Sequence, residues 1–288
     1  MVFLAILTLN IIGLFIFTWY YDKRDFMLLF LISLLSFISM FYWPLAAVFI
    51  VPMLVPLVSD IRLSTTAILC MPSTIALSWF VYNYPIPYNL SLLIVYVSVV
   101  AISALGIRTI FQDNVQRFLA QSNIIQFIFV VLDMNIATLT GKEMLRMIQI
   151  FNYGIAGLLL FIALGMVAKH RKSFAGELMG TYYEDKWNGG FATLAAISLA
   201  GIPLMNIFVS EWYMFVASFI LDPAISLLGI FAALVLFILY FKVAYILLVG
   251  RSEHKGAPPL LTAFNMFLCV SMFVLAIPQV QLSILEVL

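Results

Sequence analysis

Three ionisable side chains occur inside long apolar segments of this sequence, where a charge is costly. They are Glu211 in SLAGIPLMNIFVSEWYMF, Lys242 in LYFKVAYILL and Asp133 in FVVLDMNIATLTGKE. Charged groups at membrane depth are rare and often mark an ion or proton path. Burial and a nearby cation shift the proton affinity of a carboxyl group in opposite directions, so such a group can load and release a proton. Glu211, Lys242 and Asp133 are therefore the candidate ion-translocation residues.

The segment around Glu211 also predicts a broken helix. As a helix, residues 188–221 would be about 50 Å long, whereas a bilayer core is about 30 Å thick. Pro203 has no amide hydrogen, and Gly201 adopts backbone conformations that other residues resist. Glu211 follows this break by about two turns and lies about 13–15 Å from the outer end. If the helix ended early, Glu211 would lie near the headgroups, but the apolar run WYMFVASFI favours burial.

Lys242 and Asp133 each have a simpler interpretation as well. Lys242 lies about 10 Å from the cytoplasmic end of its helix, so its side chain can also snorkel to the interface. Asp133 falls at a predicted outer helix end, where a simple interfacial aspartate is the favoured interpretation. The ion-translocation role of both residues stays open at this point.

The composition points to a membrane protein. Hydrophobic residues make up 65% of the 288 residues and charged residues 9%, too few charges to cover the surface of a soluble domain. The near-zero net charge gives no indication of nucleic-acid binding. We expect an all-α, polytopic bundle of about ten transmembrane helices, one of them broken near Gly201 and Pro203. The predicted spans are 1–20, 26–42, 44–59, 63–82, 88–107, 118–133, 146–168, 188–221, 223–249 and 260–283.

Basic residues predict the orientation, because cytoplasmic loops are enriched in Lys and Arg. Most of them fall in alternate loops, which places both termini outside the cell membrane. Lys142 and Arg146 fall on the opposite side. The residues that set this orientation are Lys23, Arg24, Arg62, Arg108, Arg117, Lys169, Arg171, Lys172, Lys186, Arg251 and Lys255.

The remaining reactive residue types give no indication of catalysis. His170 and His254 lie in basic loops, where we expect them to be solvated, and Cys70 and Cys269 lie in apolar runs that predict packing. No phosphate-binding loop or nucleophile motif occurs. We therefore expect no catalytic residue, no cofactor and no metal site on this chain.

The stretch AGIPLMNIFVSEW (200–212) resembles the broken helix of antiporter-like subunits, which reads approximately ALPPLNGFVSEW. These subunits are shared by respiratory complex I, Mrp-type cation antiporters and energy-converting membrane-bound hydrogenases. The local match is best to the hydrogenase-4 and formate hydrogenlyase branch. QDNVQRFLAQSNI (112–124) and NYGIAGLLLFI (152–162) resemble further family motifs more weakly. The resemblance implies that residues 88–288 form the family's second repeat plus a terminal helix, and that 1–87 form four helices of a reduced first part.

The resemblance also shows where this chain departs from the family. Gln116 stands where the family has a lysine, Tyr153 where it has a helix histidine, and Gly157 where it has its central relay lysine. Glu211 remains, with Ser210, Asn206 and Tyr153 as supporting polar residues, and Lys242 matches a basic residue that the family often carries.

The family likeness implies a subunit of a redox-driven complex that translocates protons or sodium. Its partners would be other membrane subunits, further antiporter-like subunits among them, and soluble redox subunits. Those partner subunits would hold iron–sulfur clusters and a nickel–iron site. Two alternatives stay open: a structural spacer of the same complex, and an independent small-solute transporter. A transporter usually has a second broken helix, and VPMLVPLV (51–58) is the candidate for one.

Overall fold

The computed structural model describes residues 1–84, 86–169, 171–249 and 259–287. This part of the chain is helical, and its only β-type pairing is an isolated bridge between Asn114 and Ser173. The α-helices are α1 (Val2–Tyr21), α2 (Phe26–Phe41), α3 (Ile50–Val58), α4 (Leu63–Asn83), α5 (Tyr88–Ile110), α6 (Val115–Thr140), α7 (Leu145–Val167), α8 (Phe174–Glu177), α9 (Lys186–Leu199), α10 (Asn206–Leu221), α11 (Pro223–Leu248), α12 (Pro259–Leu275) and α13 (Pro278–Val287).

Seven helical segments in the described residues are long and apolar enough to cross a membrane. The count rises to eight if α12 and α13 form one bent span, and two shorter apolar segments, Trp43–Val58 and Asn206–Leu221, add to these. The predicted helical bundle is thus confirmed in kind, with fewer full-length spans than the ten expected. The full-length segments are α1, Lys23–Phe41, α4, α5, α6, α7 and α11.

Helix α7 forms the centre of the bundle. It packs against α1, α4, α6, α9, α10 and α12, and nearly all of its side chains are buried. Small residues allow this close packing: a Cβ added to Gly165 would lie 2.7 Å from the Phe17 ring of α1. Because α7 is surrounded by other helices, its polar side chains face protein rather than lipid.

The predicted span 118–133 is too short, since α6 continues from Val115 to Thr140. Polar side chains near its outer end bond carbonyls four residues earlier: Asn135 donates to Val131 at 2.8 Å and Thr138 to Met134 at 3.0 Å. These bonds keep the polar residues compatible with a helix. Gly141, with φ of +70°, then ends it. Asp133 is consequently two turns inside the helix and not at its end.

The predicted terminal span 260–283 is wrong as a single helix. α12 ends at Leu275 and α13 begins at Pro278, with a bend of 103° between them. Proline explains the corner, because it lacks an amide hydrogen and its ring crowds the carbonyl four residues before it. The bend brings Gln281 of α13 into the core, where it is fully buried.

The proline-rich stretch 51–58 does not contain the second break that we considered. Residues 50–58 form the uninterrupted helix α3, with Pro56 inside it, after a 3-10 helix at Trp43–Phe49. The prolines therefore do not break this short helix.

The loops rich in Lys and Arg meet at one end of the bundle, which we call the basic end. There Lys169 contacts the carbonyl of Tyr20, Val115 bonds the carbonyl of Lys172, and Gly180 bonds that of Ile246. The assignment of the basic end to the cytoplasmic side stays a prediction.

Candidate functional site

The predicted break at Gly201 and Pro203 is present between α9 and α10. α9 ends at Leu199 and α10 begins at Asn206, so six residues are non-helical between them. Gly201 has φ of +68°, a left-handed conformation that favours glycine, and Leu204 has φ of +76°. The segment turns back on itself through bonds from Gly201 N to Ser198 O (3.0 Å) and from Met205 N to Ile202 O (3.2 Å).

Asn206 fixes the two ends of the break to each other and to α7. Its side-chain oxygen accepts a hydrogen bond from Ser198 at 2.7 Å, which joins α10 to the last turn of α9. Its amide donates to the Asn152 carbonyl at 3.0 Å, and the Asn152 amide donates to the Asn206 carbonyl at 2.9 Å. Gln281 from α13 also donates to the Asn152 side chain. The break is therefore a fixed structure within protein, as unpaired backbone at membrane depth requires.

Glu211 lies directly against this break. Its side chain is buried, with the residue 4% exposed, and a Cβ added to Gly201 would collide with its carboxylate oxygens. Glycine is thus required at position 201 for two reasons. It tolerates the positive φ, and its lack of a Cβ leaves space for the carboxyl group. Because α10 continues for ten residues beyond Glu211 to Leu221, about 15 Å, the headgroup position considered for Glu211 is wrong.

Asp133 is not interfacial: the residue is 0% exposed, within α6. Neither of its carboxylate oxygens has a hydrogen-bond partner among the described residues. Helix α6, which carries Asp133, packs against α10, which carries Glu211. Two carboxyl groups that share a buried site resist carrying two negative charges, so a proton or a cation held there relieves their repulsion. We call Asp133 and Glu211 the carboxyl pair.

Neutral side chains lead away from the carboxyl pair in a continuous hydrogen-bonded series. Ser210, next to Glu211, donates to Gln149, whose amide donates to Gln126 at 3.1 Å. The Gln126 amide donates to the Tyr240 hydroxyl at 3.2 Å, and Tyr240 shares a 2.7 Å bond with Ser122. This amide–hydroxyl chain connects α10, α7, α6 and α11 without an ionisable link between Glu211 and Tyr240.

Tyr153 belongs to a separate junction. Its hydroxyl donates to Asn123 at 2.7 Å, and Thr74 of α4 donates to the same oxygen at 3.0 Å. The Tyr153 ring lies against Gly157, where an added Cβ would come within 2.5 Å of a ring carbon. Tyr153 thus fills the space beside Gly157 and ties α7 to α4 and α6.

Lys242 lies at the basic end and apart from the carboxyl pair. Its ammonium donates to the carbonyls of Ile110 at 2.9 Å and Gln112 at 2.8 Å, at the end of α5. It also lies 5.3 Å from the ring centre of Phe174. This geometry agrees with the snorkelling interpretation and makes Lys242 a cap of α5.

The sequence analysis missed the amides that build this site. Gln126, Gln149, Asn152 and Gln281 are buried polar residues that the sequence analysis did not single out. These residues can be recognised in the sequence, because amide side chains inside apolar runs are costly unless they bond one another. Among the described residues no group of three or more His, Cys, Asp or Glu could hold a metal ion, and Cys70 and Cys269 are buried and unbridged.

Residues 57–238, more than half of the chain, match the family described as NADH:quinone oxidoreductase/Mrp antiporter, transmembrane. This chain belongs to that family. Membership in a transmembrane family, together with the long apolar helices, identifies it as an integral membrane protein. The division at residues 87 and 88 stays a prediction.

Two curated relatives match about half of the chain. NADH-quinone oxidoreductase subunit M of Buchnera aphidicola is 28% identical over 163 residues, which are 54% of this chain and 31% of the relative. NADH-quinone oxidoreductase subunit N of Geotalea uraniireducens is 29% identical over 168 residues, 54% of this chain and 32% of the relative. The matches thus span about a third of the length of these relatives.

Solved structures show the same fold. A chain of the archaeal membrane-bound sulfane sulfur reductase has a TM-score of 0.62 at 18% identity, covering 77% of this chain and 47% of that one. A chain of respiratory complex I from Thermus thermophilus has a TM-score of 0.61 at 16% identity, with 75% and 49% covered. A chain of the Mrp complex from Dietzia sp. has a TM-score of 0.61 at 16% identity and covers 99% of this chain and 65% of its own.

Proposed function

We propose that this chain is a membrane subunit of a multi-subunit, redox-driven complex that translocates protons or sodium ions. The carboxyl pair is its ion-binding point. The observation that carries the proposal is the burial of Glu211 against the α9–α10 break, with a second buried carboxyl group, Asp133, on the adjoining helix α6. Family membership supports the setting, since the related proteins carry the names of NADH-quinone oxidoreductase subunits.

The contribution to transport is partial. Amide side chains donate and accept hydrogen bonds but carry no charge, so they cannot bias a neighbour's proton affinity as a lysine or histidine does. Gly157 stands where the resemblance implies the central relay lysine, and the amide–hydroxyl chain carries no charge. This chain therefore offers one ion-binding point and depends on neighbouring subunits for the rest of the path.

The partners follow from this incompleteness. We propose other membrane subunits, further antiporter-like subunits among them, and soluble redox subunits that hold iron–sulfur clusters. The motif AGIPLMNIFVSEW supports a complex of the energy-converting hydrogenase type, whose soluble part would add a nickel–iron site. The complex would lie in the cell membrane with both termini of this chain outside.

Glu211→Gln in the intact complex tests the proposal. Glutamine keeps the shape but has no titratable proton, so we expect ion-coupled turnover in reconstituted vesicles to fall about a hundredfold, the lower end of what a positioned proton-transfer group contributes. Assembly, followed by size-exclusion chromatography, should stay near normal. The matched control is Glu143→Gln in the exposed loop before α7, where Glu143 pairs with Arg146 at 3.1 Å. That variant should transport normally.

Unchanged coupling in Glu211→Gln would favour the second candidate, a structural spacer of the same complex. The observation behind that candidate is the Gln116 amide, which donates at 2.9 Å to the carbonyls of Pro56 and Ser59. A position where the resemblance implies a lysine thus has a structural role here. Purification of the chain alone in mild detergent, without redox subunits, would instead favour an independent transporter.

A further inference from the structure

A polar cavity opens at the basic end, away from the carboxyl pair. Its volume is about 530 Å³, and it lies between the ends of α1, α4, α6 and α7. Among the described residues, four cationic side chains line it against one carboxylate, that of Asp60. The cationic residues are Arg62, Lys169, Arg171 and Lys172.

The four cations differ in how firmly their charge is neutralised. Arg171 pairs with Glu184, and Arg62 pairs with Asp22 and Asp25. None of these carboxylates lines this cavity, although Asp22 lines the neighbouring one. Lys169 and Lys172 are less fully neutralised, so their positive charge is available to the cavity.

Lys169 and Lys172 supply that charge. The Lys169 ammonium donates to the Tyr20 carbonyl at 3.2 Å and lies 5.6 Å from the ring centre of Tyr21, with no carboxylate partner among the described residues. Lys172 is 78% exposed and lies 3.6 Å from the exposed Asp60, a contact of little strength in water. An anion entering the cavity therefore finds two lysines available.

The N-terminus of α4 adds to this attraction. Leu63 and Thr65 of its first turn line the cavity, and the N-cap residue of this 21-residue helix makes no side-chain cap, although Asp25 accepts bonds from the Ser64 and Thr65 hydroxyls. The unpaired amides and the helix dipole favour an anion at such an end. The cavity thus combines cationic side chains with a helix end oriented for negative charge.

A second cavity of about 490 Å³ shares Tyr21, Arg62 and Lys169 with the first. It extends along the end of α1 past Trp19, which is half exposed on the outer surface of the bundle, with Lys23 lying 4.5 Å from its ring centre. Tryptophan and tyrosine are typical of the bilayer–water interface. The joined cavities therefore run from the interior of the basic end out to the level of lipid headgroups.

We infer that these joined cavities bind the phosphate headgroup of an anionic phospholipid, with Lys169 as the principal contact. Basic pockets between transmembrane helices on the cytoplasmic side suit such headgroups. The phosphate would lie against Lys169 and the first turn of α4, and the acyl chains would follow the apolar surface of α1 beyond Trp19. A soluble phosphate compound has the same phosphate chemistry, but it has no acyl chains that would contact the aromatic, lipid-facing surface at the opening.

Native mass spectrometry of the purified full chain in detergent tests this site, with phosphatidylglycerol as the probe and phosphatidylcholine as the neutral comparison. Wild-type protein should retain phosphatidylglycerol preferentially. Lys169→Gln and Lys172→Gln should each weaken retention about fivefold, as expected for one basic residue near a lipid surface. Lys172 is exposed, so its variant should fold normally and keeps the test valid if Lys169→Gln does not fold.

Lys186→Gln is the matched control, since it removes the same charge at the basic end but lies outside both cavities. It should retain the lipid as the wild type does. Equal losses in Lys186→Gln and the two cavity variants would overturn the site in favour of general charge attraction. Displacement of the lipid by millimolar inorganic phosphate would overturn the lipid assignment in favour of a soluble anion. Failure here would leave the carboxyl pair untouched, because Glu211 lies elsewhere.

Discussion

The carboxyl pair and the amide–hydroxyl chain meet at Ser210, which is next to Glu211 in the sequence. One consists of ionisable side chains and the other of neutral side chains, inside the same bundle. Glu211 and Asp133 are ionisable and have no ion-pair partner among the described residues, whereas Gln149 and Gln126 are neutral and bonded in series. A fully bonded amide stabilises a buried position, and an unpaired carboxyl group costs free energy there. The difference supports the proposal that an ion binds at the carboxyl pair, whereas the amide–hydroxyl chain only stabilises the fold.

The largest effect is expected from Gly201→Ala. Alanine must adopt φ of +68°, and its Cβ would displace the Glu211 carboxyl group. The backbone strain alone costs about 1–3 kcal/mol, and the collision adds to it. Unfolding in mixed detergent micelles should show this loss, and ion coupling should fail with it.

Gly190→Ala is the control for that substitution, because Gly190 lies within α9 and the nearest atom to its added Cβ is a Tyr182 ring carbon 3.7 Å away. It should be neutral or slightly stabilising. If Gly201→Ala were equally harmless, the carboxyl group would not lie against the break.

Gln149→Leu should have the next largest effect, and on stability rather than on transport. It leaves the side-chain oxygen of Gln126 without a donor in the core, which costs about 1–3 kcal/mol, while Ser210 can still donate to the Ile207 carbonyl at 2.8 Å. Coupling in the assembled complex should stay within a factor of about two, since we assign no proton step to the amides. A loss of coupling as large as that of Glu211→Gln, at normal assembly, would turn the neutral chain into part of the ion path.

The smallest effect is expected from Lys242→Met. It removes the cap on the Ile110 and Gln112 carbonyls, and water can replace it at this half-buried position, so the free energy of unfolding should fall by about 0.5–1.5 kcal/mol. Vesicle transport should be unchanged. Abolished transport would restore Lys242 to the ion path that the sequence suggested.

The sequence predicted the break and the burial of Glu211 because both depend on local chemistry. Gly201 and Pro203 interrupt a helix whatever surrounds it, and the apolar run after Glu211 requires α10 to continue. The family likeness, carried by the same motif, was also readable before any coordinates.

Long-range features could not be predicted in the same way. Asp133 was misplaced because the polar residues after it suggested a helix end, and only their bonds within α6 reveal a longer helix. The sequence predicts one apolar span across Pro278, so it predicts neither the bend nor the contact of Gln281 with Asn152. The Gln281–Asn152 contact joins residues far apart in sequence, and no spacing rule encodes it.

The central claim is that Asp133 and Glu211 act as one ion-binding unit, and a double-mutant cycle tests it most directly. Ion transport would be measured in vesicles carrying the complex with Asp133→Asn, Glu211→Gln or both. Residues that act as a unit are strongly non-additive, so the double variant should lose little more than the worse single variant. Losses that multiply in the double variant, or normal transport in Asp133→Asn alone, would contradict the claim.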